Sequence, residues 1–119
     1  MLSTLISAIV LIILDSTYLH LMTGYFKKQV KDVQGSPLEI NLVGGALCYV
    51  FIIFGLNYFI IKNRKSVKDA FLLGIVIYAV FELTNLALFK NWHIMSVLID
   101  TLWGGILFGL TTGIVYKLT

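Results

Sequence analysis

Three carboxylic acids, Asp15, Glu82 and Asp100, each interrupt a different long apolar run of this chain. An ionisable side chain in hydrocarbon costs about 2.5–3.5 kcal/mol on insertion scales. Three of them cost roughly 8–10 kcal/mol unless they meet one another, water, a proton or a cation. Helical arithmetic gives the three a common height. Asp15 lies about eight residues before Thr23, Glu82 eight before Lys90, and Asp100 seven after His93. At about 1.5 Å per residue, each carboxyl then sits about 10–12 Å below the same surface. Acids in such a layer suit the binding and release of a proton or cation, or the anchoring of a small solute. Mutual repulsion in a dry site leaves one or two protons shared among the three.

The neighbours of the acids extend the site. On the helix that carries Glu82, the residues Gly74, Tyr78, Asn85 and Phe89 project within about 80° of the acid, which makes Asn85 its expected hydrogen-bond partner. Tyr18 follows Asp15, and Trp103 follows Asp100, at the same spacing of three. A phenol or an indole N–H can donate to a carboxylate, and an aromatic face can hold a cation or an organic ligand. The expected binding layer is therefore Asp15, Glu82, Asp100, Asn85, Tyr18, Tyr78 and Trp103. The competing reading makes the acids protonated interhelical glue, bonded to Asn85, Tyr18, Tyr78 or Thr17 and setting helix register.

The elements that position these residues are membrane spans. Of 119 residues, 59% are hydrophobic, 13% are charged and one is proline, with a mean hydropathy of +0.94, which excludes an ordinary water-soluble domain. Four runs, 2–22, 42–61, 70–89 and 94–116, are long enough to cross a hydrocarbon core of about 30 Å. They predict an all-α polytopic membrane protein, a single domain over 1–119 of four antiparallel transmembrane helices. The first run lacks a basic leader and a small-residue cleavage site and carries Asp15, so it is expected to be a retained span and not a signal peptide. Cys48 has no partner in the chain, which excludes a disulfide framework; it is expected to be a small buried packing residue.

The net charge of +3 is not a nucleic-acid signal, because the basic residues gather at the span ends. Lys62, Arg64, Lys65, Lys68 and Lys117 fall on one side, and Lys27, Lys28, Lys31 and Lys90 on the other. That bias favours both termini and the middle connection in the cytoplasm. The stretch from Thr23 to Asn41 is expected to be a polar loop at the interface, with Tyr25 and Phe26 in an aromatic belt and Ser36-Pro37 with Glu39 opening the second span. The connections 62–69 and 90–93 are short and force antiparallel neighbours. Gly105, Gly109 and Gly113, preceded by Thr101, form a small-residue ridge that either packs within the bundle or seams a homodimer through the last helix. His20 is expected at the interface, His93 beside Trp92 serves as an interface anchor, and Asn57 bonds a neighbouring helix. No zinc spacing, phosphate-binding loop, nucleophile elbow or lysine within a span appears, so no metal or other cofactor is expected.

A faint repeat links Asp15-Ser16-Thr17-Tyr18-Leu19 with Glu82-Leu83-Thr84-Asn85-Leu86, and Leu42, Gly44-Gly45 and Leu47 with Leu102, Gly104-Gly105 and Leu107. The order suggests a duplicated helical hairpin with a site where the halves meet. The segment from Phe81 to Ala87, then Trp92, Ile99-Asp100 and Trp103-Gly104, resembles the second half of the small bacterial membrane proteins grouped as domain of unknown function 2177. Leu14-Asp15, Tyr18 and Tyr25-Phe26 fit the same pattern, in which Asp is commoner than Glu at position 82. The resemblance covers nearly the whole chain. It implies the four-span layout and the cytoplasmic membrane of a bacterium, and it draws attention to Asp15, Glu82, Asn85, Asp100 and Trp103 without giving them a task. The residues themselves point first to proton- or cation-coupled binding or transport of a small solute. Glu82 and Asp100 would be the titrating pair and Asp15 their third partner. The alternatives are a membrane-embedded enzyme or accessory protein acting on lipids, and a structural or regulatory subunit.

Overall fold

The computed structural model describes residues 2–119. Its helices are α1 (Leu2–Leu21), α2 (Thr23–Gln34), α3 (Leu42–Leu56, continued by a π segment Asn57–Ile61), α4 (Val67–Leu88) and α5 (Ile94–Leu118). Four stretches, Leu2–Leu21, Leu42–Ile61, Val67–Leu88 and Ile94–Leu118, are long and apolar enough to span a bilayer. The two shortest, of 20 residues each, are about 30 Å long. The molecule measures 46 × 24 × 21 Å, one helix bundle long and about two helices thick. The start of α1, the middle connection and the end of α5 share what we term the terminal face; α2 and the connection 89–93 lie on the opposite face.

The helices form a row in which α1 lies against α3 and α5, and α5 lies between α1 and α4. α5 is the hub, with Gly104, Gly105, Leu107, Phe108, Gly109, Thr111, Thr112 and Val115 all buried. Glycine sets its closest contact. A Cβ added at Gly74 of α4 would stand 2.1 Å from the carbonyl oxygen of Gly104, so the two backbones touch there. Gly105 and Gly109 are also turned towards α4 of the same chain, against Phe71, Ile75 and Val67. The shared core is Leu11 of α1, Ile52, Leu56, Ile60 and Ile61 of α3, Ala70 of α4, and Leu107, Phe108 and Val115 of α5. Leu5, Ile9, Ile13, Leu47, Phe51, Val76, Val80, Leu98 and Leu102 face outward, the surface that hydrocarbon wets.

Asn57, towards the terminal face, joins α3 to α1, the bond to a neighbouring helix expected of it. Its amide donates to the Ile53 carbonyl and to Ser7 Oγ, both at 2.8 Å. Asn57 also opens a π turn, in which Lys62 N–H reaches Asn57 O at 2.8 Å and Lys65 N–H reaches Ile60 O at 2.9 Å.

Three expectations are corrected. The stretch after Thr23 is not a loop throughout: 23–34 form a helix on which Met22, Phe26, Val30 and Val33 share the inner side with Gln29, and Gly35 closes it at φ 75. Ser36, Pro37 and Glu39 do not open the second span; Asn41 does, its Oδ1 accepting the Gly44 N–H at 3.0 Å. Cys48 is exposed, because α3 turns residues 42–48 away from the bundle. The hairpins of the repeat also pack differently. Gly104-Gly105 are pressed on α4, whereas Gly45 has nothing within 4 Å and Gly44 meets only its own cap.

Candidate functional site

The acid layer is built by three helices and completed by a fourth. Asp15 of α1 and Glu82 of α4 are buried, and Asp100 of α5 is partly so. The Glu82 and Asp100 side chains are neighbours across the contact between α4 and α5. In antiparallel helices each Cα–Cβ bond leans towards its own N-terminus. Opposite Gly74–Gly104 the two acids are therefore offset by about one turn along the axis, and their side chains lean into the gap between them.

Donors reach the carboxyls from other elements. Tyr49 donates its hydroxyl to Asp15 Oδ2 at 2.6 Å, and Trp103 its indole N–H to Asp15 Oδ1 at 2.9 Å. Tyr18 donates to Asp100 Oδ1 at 3.1 Å, and Trp92 donates its indole N–H to Glu82 Oε1 at 3.1 Å. The aromatic residues at spacing three thus serve the acid of the opposite helix, not their own: Tyr18 of α1 serves Asp100 of α5, and Trp103 of α5 serves Asp15 of α1. Their rings stack at 4.5 Å and 4°, so the exchange forms a closed clasp between α1 and α5. A side chain three residues on lies along its own helix, whereas a ring directed across the interface can bury itself as well as donate.

The carboxyls do not converge on one point. Glu82 and Asp100 form a pair, while Asp15 makes no hydrogen bond to either and is linked to Asp100 by the Tyr18–Trp103 stack. Asn85 is half-buried and makes no hydrogen bond to Glu82; Trp92 takes that place. Tyr78 sits over Gly104 with its ring edge-on to Phe108 at 6.3 Å, filling the floor under the pair. Among the described residues, no three His, Cys, Asp or Glu side chains stand together as a metal-holding group, and no basic side chain lies within 4 Å of any of the three acids.

Two contributors escaped the sequence reading. Tyr49 is seven residues into α3, about 10 Å below the α2 face, so the depth arithmetic that found the acids would have found it had polar aromatics been counted. Trp92 lies in the connection before α5, where an indole ordinarily marks the interface; nothing local signals that it turns inward to Glu82.

A latch covers the site on the α2 face. Gln29 of α2 is buried; its Nε2 donates to Asn91 O at 3.1 Å, and its Oε1 accepts the His93 N–H at 3.0 Å and the Ser96 hydroxyl. The N-cap residue of α5, His93, has no side-chain cap, so Gln29 caps α5 from another helix. Tyr25 bonds Ser96 at 2.9 Å, and His93 Nε2 pairs with Asp32 Oδ2 at 3.1 Å. Lys28 and His93 beside Asp32 hold its carboxyl below the usual carboxylate range. Trp92 lies between the latched residues Asn91 and His93, so α2 holds in place the segment that supplies the Glu82 donor.

A family model described as "Predicted membrane protein (DUF2177)" matches residues 1–117. No curated protein and no solved structure matches the chain. The chain belongs to that family, as its acid-Leu-Thr-Asn-Leu segment and flanking residues lead one to expect.

Proposed function

We propose that this multi-pass membrane protein binds a proton at the Glu82–Asp100 pair and couples its uptake and release to movement of a small solute. The observation that carries the reading is two facing carboxyls that have only neutral donors around them. Four hydrogen bonds serve the layer. At about 0.6–1.7 kcal/mol each in a membrane interior, they contribute roughly 2–7 kcal/mol. Three ionised acids cost about 8–10 kcal/mol there. The remainder falls to a proton or a cation, and a proton suits a facing pair with no third ligand beside it. Asp15 has a donor on each oxygen, from α3 and α5, which favours a structural part for it: the interhelical-glue reading applies to this acid and not to the pair.

In this mechanism Glu82 and Asp100 hold the proton, Trp92 and Tyr18 orient their carboxyls, and Tyr78 closes the floor. The excess of basic residues on the terminal face supports an orientation with both termini in the cytoplasm of a bacterial inner membrane. Infrared difference spectra over a pH titration in nanodiscs test the proton site. Glu82→Gln and Asp100→Asn should each abolish the titrating carboxyl band, and Asp15→Asn should keep it. Retention of the band in both pair variants overturns the reading. Accumulation of small solutes in proteoliposomes under a pH gradient, followed by mass spectrometry, should disappear with the band.

A further inference from the structure

A groove of about 760 Å³ opens on the terminal face and runs between the start of α1 and α3, down to Val50 beside Tyr49. Its walls are graded in polarity. Lys62 and Arg64 stand at the mouth, Ser3 and Thr4 come next, and Phe54 and Val50 line the deep end. Val50 precedes Lys62 by twelve residues, so the groove descends about 18 Å, close to half of a 30 Å hydrocarbon core.

The two cations are held in place without being neutralised. Lys62 Nζ lies 5.1 Å from the centroid of the Tyr58 ring, which itself stacks on Phe54, and Arg64 Cζ lies 4.5 Å from that of Tyr116. Tyr116 is fixed in turn by donating its hydroxyl to Lys65 O at 2.6 Å, and Arg64 takes the left-handed backbone (φ 47) that directs it there. Among the described residues neither cation has a carboxylate within 4 Å. Charged donors at headgroup height, hydroxyls at the height of glycerol esters and an apolar trough to mid-membrane complement one ligand class in charge, polarity and length.

We infer that this groove binds one anionic glycerophospholipid, its phosphate between Lys62 and Arg64 and an acyl chain along Phe54 and Val50. The site is independent of the proton reading, since no acid of the layer lines it.

Native mass spectrometry of the full chain in detergent, titrated with phosphatidylglycerol or phosphatidylcholine, tests the inference. The intact protein should bind one phosphatidylglycerol in preference to phosphatidylcholine. Lys62→Ala and Arg64→Ala should each weaken phosphatidylglycerol about fivefold and leave phosphatidylcholine unchanged. Lys68→Ala with Lys117→Ala removes two charges from the same face outside the groove, and should leave the preference intact. Val50→Trp, which fills the deep end, should weaken both lipids. Equal binding of the two lipids by the intact protein, an equal loss in the Lys68/Lys117 variant, or an unaffected Val50→Trp variant each overturns the inference.

Discussion

Replacing Gly74 by alanine separates the packing of α4 on α5 from the chemistry it positions. The new methyl carbon would stand 2.1 Å from Gly104 O and 2.7 Å from Gly104 C, both backbone atoms that no rotamer change can move. Restoring the ~3.4 Å of ordinary contact needs a separation of about 1.3 Å between the two helices. Overpacking of this kind costs about 1–3 kcal/mol, and the better helix propensity of alanine returns at most about 1 kcal/mol. Gly109 and Gly113 are the internal controls, since a Cβ there would meet nothing closer than 3.7 Å and 3.9 Å. At those two positions the propensity gain stands alone, so the sign of the effect reverses. Gly105 falls between, because its 2.8 Å neighbours are the far ends of the Ile75 and Phe71 side chains, which can turn aside.

Thermal unfolding in detergent should rank the variants Gly109→Ala and Gly113→Ala at or above the parent, Gly105→Ala near it and Gly74→Ala lowest. The same 1.3 Å lies between the helices that hold Glu82 and Asp100, so Gly74→Ala should also shift the carboxyl band of that pair. A Gly74→Ala protein as stable as the parent, or a Gly109→Ala protein destabilised as much as Gly74→Ala, would refute the backbone contact and with it the account of how the pair is brought together.

The crossed clasp should behave as one unit: in a double-mutant cycle, Tyr18→Phe and Trp103→Phe should each cost about 0.6–1.7 kcal/mol, with a coupling of about 0.5 kcal/mol or more because their rings stack. Strict additivity in that cycle would separate the two hydrogen bonds. The α2 latch should weaken in acid. The folded-state carboxyl of Asp32 titrates below its unfolded value of about 3.9, so its stabilising contribution is present above that value and is lost as pH falls through the folded one. Hydrogen-exchange protection of α2 amides should therefore decline below about pH 4 in the parent and show no such decline in Asp32→Asn.

The span layout was legible because hydrocarbon imposes a blunt rule, some twenty apolar residues per crossing, and chain length left room for little else. The boundaries that moved did so for local reasons. Asn41 displaced Ser36 as the cap because the chain from Ser36 to Ile40 forms no helix, and α4 begins at Val67, earlier than its apolar run, because Ser66 accepts the Asp69 N–H at 3.0 Å and lets the charged Lys68 and Asp69 enter the first turn. α2 was hidden by Gln29, a polar residue in the middle of its inner side. It is buried there because it caps a helix more than sixty residues away, which no window along the sequence can reveal.

The site was legible in one coordinate only. Rise per residue gives height only to within about a turn, since Glu82 and Asp100 are offset by that much along α4 and α5, and whether acids touch depends also on rotation about each helix axis. Rotation is set by close approach, and close approach is unequal in the two hairpins: Gly104 meets Gly74, whereas Gly44 and Gly45 meet no other helix. α4 and α5 consequently bring their acids face to face, while α1 holds Asp15 against a tyrosine and a tryptophan. A repeat that looks symmetric in letters thus gives one pair of neighbouring carboxyls across α4 and α5 and one carboxyl whose two oxygens each accept a hydrogen bond. The acid with partners on both oxygens ties α1 to α3 and α5, and the pair across α4 and α5 is the one to which the proposed proton site is assigned.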